Sequence, residues 1–193
     1  MALHDLADPT TPLPAQLVFD TSFLLALRPG DDNPHAEAAQ GFARRLRPAI
    51  AALELVAWLV LPVLQECYHI ILTGSLRRAW QTLDPAMRPA NWLALYKQEP
   101  DTLAQGLPEL NRFDALLATI PATLARPQDQ ALVSTAGLPD ERLRYFIARY
   151  RFLPQDALIL AEAERLGVTT IATLDSDWRR VTEFDIYTTP CSD

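Results

Sequence analysis

Residues 17 to 27 read LVFDTSFLLAL, an apolar run broken by one acid, Asp20, with Thr21 and Ser22 directly behind it. Gln16 to Asp20 reads as a short buried strand, and Ser22 to Leu27 resumes with helical apolar spacing. The acid therefore stands at the joint between a strand and a helix, and the chain opens as a βα unit.

Working outward, the RPGDDNP turn leads into an Ala- and Leu-rich helix over His35 to Leu53, and Trp58 to Leu61 is a second short apolar strand. Pro62 suits a first helical position, and the helix it opens, VLQECYHIILTGSLRRAW, is apolar at 63, 64, 67, 70 and 71, the spacing of one buried face. Toward the other end, Glu141 to Arg151 reads as an Arg-rich amphipathic helix. Pro154 to Leu166 reads as a helix stopped by Gly167, and the β-branched VTTIATL at 168 to 174 as a strand ending in the acids of DSDW. Strands alternating with helices predict an α/β fold, a central parallel sheet in three α/β/α layers.

The flanks carry weaker patterns. Residues 1 to 15 are expected as a loose, proline-containing arm and 16 to 193 as one domain. Prolines at 85, 89, 100, 108, 121, 127 and 139 divide the segment between Gln81 and Asp140. A strand is expected there at Phe113 to Ile120, among short helices. The stretch from about 74 to 140 is expected as a helical excursion within the domain, because it lacks the strand alternation and apolar density of an independent core.

Composition excludes several classes. A formal net charge of -7 and a pI near 4.9 argue against a protein that coats nucleic acid nonspecifically, since phosphate binding depends on Lys and Arg displacing counterions. No apolar stretch approaches the roughly 20 residues that span a bilayer. MALHDLADPTTPLP has acids and prolines where a signal peptide has basic and apolar regions, so a cytoplasmic, non-membrane protein is expected. Cys67 and Cys191 have no C-x-x-C partners, and Cys67 sits in an apolar helical pattern that suits a buried thiol. His4, His35 and His69 lack zinc-ligand spacing, and no phosphate-cradling glycine motif or G-x-S-x-G elbow occurs.

In a parallel sheet the residues just past the strand ends gather on one edge, where open α/β folds bind ligands. Asp20 and Asp175 close strands, Asp177 follows two residues on, and Glu66 and Asp156 lie near the starts of the helices opened by Pro62 and Pro154. Singly, each acid has an ordinary explanation as a helix cap, a dipole partner or a turn residue. Together they demand something more, because carboxylates a few ångströms apart repel by about 4 kcal/mol per pair unless protons or cations intervene. An all-oxygen ligand set favours Mg²⁺ or Mn²⁺ over zinc.

At these residues the sequence resembles the PIN domain family of metal-dependent ribonucleases, which includes the VapC-type toxins of toxin–antitoxin pairs. VFDTSFLLAL is similar to the opening strand and its acid, LPVLQECYHII to the helix carrying the Glu, LPQDALILAEAERLG to the helix opening with the third acid, and TTIATLDSDW to the final T-x-D-x-D segment. The likeness covers the two ends of the chain, and the stretch from about 74 to 140 has no motif that aligns. The resemblance implies that Asp20, Glu66, Asp156 and Asp175 form the catalytic, metal-binding set, with Asp177 an accessory ligand and Ser22 and Thr173 polar supports. It implies hydrolysis of RNA phosphodiesters with Mg²⁺ or Mn²⁺, a homodimer, and a small antitoxin-like partner protein.

Candidates for holding substrate are Arg144, Arg149, Arg151, Arg179 and Arg180, whose other reading is a solvated helix face, and Trp178, either a base-stacking platform or a packing anchor. Two alternatives stand beside the nuclease: a PIN-like RNA- or protein-binding module that no longer cuts, and a haloacid-dehalogenase-like phosphatase. The phosphatase needs D-x-D, and Ser22 stands at its second acid.

Overall fold

The computed structural model of the chain describes residues 2–30, 32–129 and 139–190; Cys191 lies outside the described residues. Contacts divide the chain into two compact units, Met1–Leu64 with Ile120–Asp193, and Gln65–Thr119.

The first unit holds the sheet. Its strands are β1 (Leu3–Asp5), β2 (Gln16–Phe19), β3 (Val56–Leu59), β4 (Thr123–Leu124), β5 (Thr170–Ala172) and β6 (Asp185–Thr188), and its helices include α1 (Thr21–Ala26) and α2 (Ala36–Ala51). All neighbours are parallel, in the order β1-β6-β5-β2-β3-β4. Helix α3 (Leu61–Thr82) follows β3 and carries the chain into the second unit, with α4 (Trp92–Gln98), a 3-10 helix (Pro100–Gly106) and α5 (Leu107–Leu117). Helices α6 (Pro139–Tyr150) and α7 (Pro154–Arg165) then lead back to β5, and a 3-10 helix (Ser176–Arg180) joins β5 to β6.

From β2 the chain moves to β3 through α1 and α2; later it moves the opposite way, from β4 past β3 and β2 to β5, through α6 and α7. Right-handed crossovers in opposite directions lay helices on opposite faces of the sheet, which gives the three-layer α/β/α arrangement. The central strand β2 is buried on both sides: Leu17, Val18 and Phe19 are all fully covered, as the interior of a parallel sheet requires. Aromatic rings bind one helical layer to the strands, from Phe19 against Phe23 at 5.3 Å, through Phe42, to Tyr187, which stacks on His4 at 4.4 Å.

The second unit is helical. Asn91 caps α4 by accepting from the Ala94 amide at 2.9 Å. A Cβ at Gly106 would stand 2.9 Å from Leu72 Cδ2 and 3.2 Å from Ser75 Cβ, so glycine permits that close approach. The Tyr68 hydroxyl donates to Asp114 Oδ1 at 2.6 Å, and burial together with that bond pushes its pKa up to about 12. Cys67 is a buried thiol.

Three sequence expectations change. Residues 1 to 15 are not all loose: Leu3–Asp5 pairs with β6, Leu6 is 1% exposed, and Arg45 Nη1 donates to Asp8 O at 2.9 Å. The strand expected at Phe113 to Ile120 is largely helix α5, because Pro108 in the first turn starts a helix and the spacing buries Phe113 as part of it. The helical excursion expected over 74 to 140 is, where described, a compact unit that begins at Gln65 and ends at Thr119; residues 130–138 lie outside the described residues. Among the described residues no helix is long and apolar enough to cross a membrane.

Candidate functional site

Strands β2 and β5 are neighbours, and the connection that leaves β2 runs toward β3 while the one that leaves β5 runs the opposite way, toward β6. Such a switch point leaves a crevice outside the carboxyl ends of the two central strands. Asp20 is the first residue past β2 and Thr173 the first past β5, and the Asp20 amide donates to Ala172 O at 2.9 Å to close the ladder between them.

A polar network fills this corner. Thr173, fully buried, donates through Oγ1 to Asp20 Oδ2 at 2.8 Å, and Ser22 Oγ donates to the same oxygen at 2.6 Å. The two hydroxyls lie 3.2 Å apart, and Ser22 Oγ accepts from the Leu174 amide at 2.9 Å, which ties α1 to the segment after β5. The Asp175 amide donates to Thr173 Oγ1 at 3.1 Å, so the backbone carrying the second acid is part of the same network.

Asp20 is 3% exposed, and burial pushes its carboxyl above the usual range, against the opposing pull of bonds from Ser22, Thr173 and the amides of Thr21 and Ser22. None of these partners is a cation. Both acids also cap helices: Asp20 accepts from the Ser22 amide at 3.3 Å at the start of α1, and Asp175 Oδ1 accepts from the Asp177 amide at 2.8 Å at the start of the 3-10 helix.

The other expected acids lie on α7, α3 and the 3-10 helix after β5. Asp156 is half-buried in the first turn of α7, the helix that precedes β5 and so starts at the carboxyl edge. Glu66 is half-buried on α3 and belongs to the second unit. Asp177 is exposed and its Oδ2 accepts from Arg180 Nη2 at 3.1 Å. Among the described residues no group of three or more His, Cys, Asp or Glu side chains is placed to hold a metal ion. Asp20 and Asp175 nevertheless suit Mg²⁺ in kind, since that ion keeps several waters and is held by one or two carboxylates together with substrate phosphates.

The candidate substrate residues divide sharply. Trp178 is fully buried, 5.2 Å from the Phe152 ring, so it is a packing anchor and offers no platform to a base. Arg149 Nε donates to Glu183 at 3.1 Å, Arg179 Nη2 to Thr189 O, and Arg180 to Asp177 while lying 4.8 Å over Phe152. Arg144 and Arg151 are exposed, and their guanidinium groups have no partner among the described residues. Arg151 takes φ 57° just past the end of α6, a helix-ending conformation.

Sequence reading missed a groove of about 730 Å³ on the same edge, between residues following β1 and β6 and the first turns of α2. Among the described residues Glu37 is the single acid that lines it, and its Arg45 is engaged with Asp8 O and Thr11 O, so these residues do not repeat the carboxylate chemistry of the switch point. Two of the strands that frame it, β1 and β6, are too short and irregular in pattern to announce themselves. Comparison with protein-family models and with curated proteins matches this chain to none of them.

Proposed function

We propose that this chain is a PIN-like, Mg²⁺- or Mn²⁺-dependent ribonuclease whose centre lies at the β2/β5 switch point. One observation carries the reading: Asp20 is a buried carboxylate held by hydroxyl and amide donors, with no cationic partner among the described residues. A carboxylate so placed at a ligand-binding crevice favours a cation from solution.

Asp20 and Asp175 would supply oxygen ligands, and Asp156 and Glu66 are the further members that the PIN resemblance assigns. Bound there, the ion would lower the pKa of a coordinated water and stabilise charge on a scissile phosphate. Ser22 and Thr173 hold Asp20 in one rotamer and orient its Oδ2. Arg144 and Arg151 have guanidinium groups available to flanking phosphates, which offsets the repulsion of an acidic protein for RNA. A homodimer, a small antitoxin-like regulator and a cytoplasmic setting belong to the same reading; light scattering at tens of micromolar tests the first.

One observation favours a second reading, a PIN-like RNA- or protein-binding module that does not cut: the described acids form no group of three. Incubation of purified protein with a mixed RNA pool in Mg²⁺, in Mn²⁺ and in EDTA separates the two. Cleavage abolished by EDTA and by Asp20→Asn supports the nuclease. RNA retention without cleavage in any metal overturns it in favour of the module.

A further inference from the structure

The groove of about 730 Å³ beyond β1 and β6 takes no part in the switch-point network, and its chemistry is of the opposite sign. Arg44 and Arg45, neighbours on α2, both line it, and they are held differently. Arg45 is pinned: its guanidinium donates to Asp8 O at 2.9 Å through Nη1 and to Thr11 O through Nη2. Those acceptors are neutral carbonyls, while the Asp8 carboxylate is spent on the Thr10 amide and hydroxyl at 2.8 and 2.7 Å. The Arg45 charge is therefore fixed in place without an ion pair among the described residues, and a guanidinium keeps further N–H donors beyond these two bonds. Arg44 is exposed, and its guanidinium has no hydrogen-bond or ion-pair partner among the described residues.

The α2 wall beside these arginines is built small. Ala38 and Gly41 lie one turn apart on it, and a Cβ at Gly41 would meet only Arg44 Nη2, at 3.7 Å. Pro9, Pro34 and His35 add ring surfaces to the lining. Two arginines against one glutamate, Glu37, make this a cationic groove on a chain of formal net charge -7.

We infer that this groove is a substrate subsite, in which Arg44 and Arg45 hold a backbone phosphate of single-stranded RNA a few nucleotides away from the switch point. The identity of the ligand rests on the ribonuclease reading above; the charge and shape of the groove do not. Guanidinium groups suit phosphate oxygens because they bind them in a two-bond fork, and a pinned arginine loses little freedom when it does so. The ring surfaces suit an unpaired base, which packs on such faces without regard to its identity. Position fits as well: β6 is two places from β2 in the sheet, so their ends stand roughly 10 Å apart, a span that a few nucleotides cover. RNA reaching across that edge gains cationic contacts that the carboxylates of the switch point do not offer.

The test measures binding in EDTA, where no metal-dependent cleavage intervenes. Fluorescence anisotropy of labelled octauridylate is followed for wild type, Arg44→Gln and Gly41→Leu, with melting curves as a check of folding. Arg44→Gln removes one charge, and Gly41→Leu fills the space beside it with a good helix former. Loss of one phosphate contact should weaken binding about eightfold at 50 mM salt and about threefold at 200 mM, with a salt slope shallower by about 0.7. Gly41→Leu should weaken it at least as much.

Unchanged affinity and slope in both folded variants, or no binding by wild type at any salt, overturns the subsite. Competition identifies the ligand. Displacement by unlabelled octauridylate, and not by octaglutamate or inorganic phosphate at the same concentration of charge, supports RNA. Equal displacement by octaglutamate overturns that assignment in favour of an acidic protein partner, and equal displacement by phosphate in favour of a free anion. RNA binding that depends on Arg44 and Gly41, in a protein that cuts no RNA in Mg²⁺ or Mn²⁺, keeps the subsite and overturns the nuclease.

Discussion

Thr173 and Asp20 are 153 positions apart in sequence, yet the Thr173 hydroxyl donates to the Asp20 carboxylate at 2.8 Å, inside the protein and at the midpoint of the sheet. That single bond joins the beginning and the end of the fold. It also keeps an otherwise costly buried charge in one place, because a buried acid without donors would either protonate or turn outward.

Thr173→Val keeps the shape and removes the hydroxyl. It strips Asp20 Oδ2 of one donor and the Asp175 amide of its acceptor, so a loss of about 1–3 kcal/mol in urea unfolding is expected. Ser22→Ala removes the other hydroxyl bond to the same oxygen. Because the two share Asp20, the double variant should depart from additivity by more than about 0.5 kcal/mol. Strictly additive losses would show that the hydroxyls act independently.

Asp20→Asn should change how stability responds to pH. The folded-state pKa of Asp20 is raised, chiefly by burial, so between the ordinary aspartate pKa and the raised value the folded state holds a proton that the unfolded state has released. Wild-type stability in EDTA therefore falls as pH rises through that window, then levels off. The variant should lack this fall and melt at or above wild type near neutral pH, and Mg²⁺ should stabilise wild type more than the variant. A variant that melts lower at every pH, with no metal dependence in either protein, would show that Asp20 is only a cap.

Trp178 tests the division between core and surface. Its Nε1 has no hydrogen-bond partner among the described residues, and its ring is fully enclosed. Trp178→Ala should cost about 3–5 kcal/mol. Trp178→Phe should cost less, since the smaller ring also removes an unsatisfied donor. RNA affinity measured on folded Trp178→Phe should stay within about twofold of wild type, whereas base stacking on an aromatic is worth about 1–3 kcal/mol.

Arg142 and Arg144 lie two residues apart on α6 and should behave oppositely. Arg142 forms a two-bond pair with Glu164, at 2.5 and 2.7 Å, and stacks 4.3 Å over Tyr145, so Arg142→Ala should destabilise the fold and leave RNA binding nearly unchanged. Arg144→Ala should leave stability within about 0.5 kcal/mol and weaken RNA binding across sequences, lowering the salt slope by about 1. Filter binding at several salt concentrations reads both; an unchanged slope for Arg144→Ala would remove it from the substrate path.

Much of this architecture was legible in the sequence because the central strands are short apolar runs joined directly to helices that proline or an acid starts. LVFD and TIATLD declare β2 and β5, and Pro62 and Pro154 stand in the first turns of α3 and α7. The Asp20, Ser22, Thr173 and Asp175 cluster was legible for the same reason, since each residue sits next to a strand end. What the sequence hid is what tertiary context decides. Leu3–Asp5 is a strand only because β6 offers its edge, the two-residue β4 has no pattern to read, and Phe113 has the same apolar signature in a helix as in a strand. Arginine partners were equally hidden: nothing in the local sequence tells that Arg149 is bound to Glu183 and that Arg144 is not.

The pairing of β1 with β6 bears on how the molecule is made. The Ala2 amide donates to Asp185, 183 positions away, and among the described residues β1 has no other strand beside it. A ribosome makes β1 before the other strands, but its place in the sheet exists only after β6 has emerged. Its hydrogen bonds therefore close the longest loop in the fold and form late, when every inner strand is already in place. A nascent chain will carry Leu3–Asp5 without its strand partner until Asp185–Thr188 has been made.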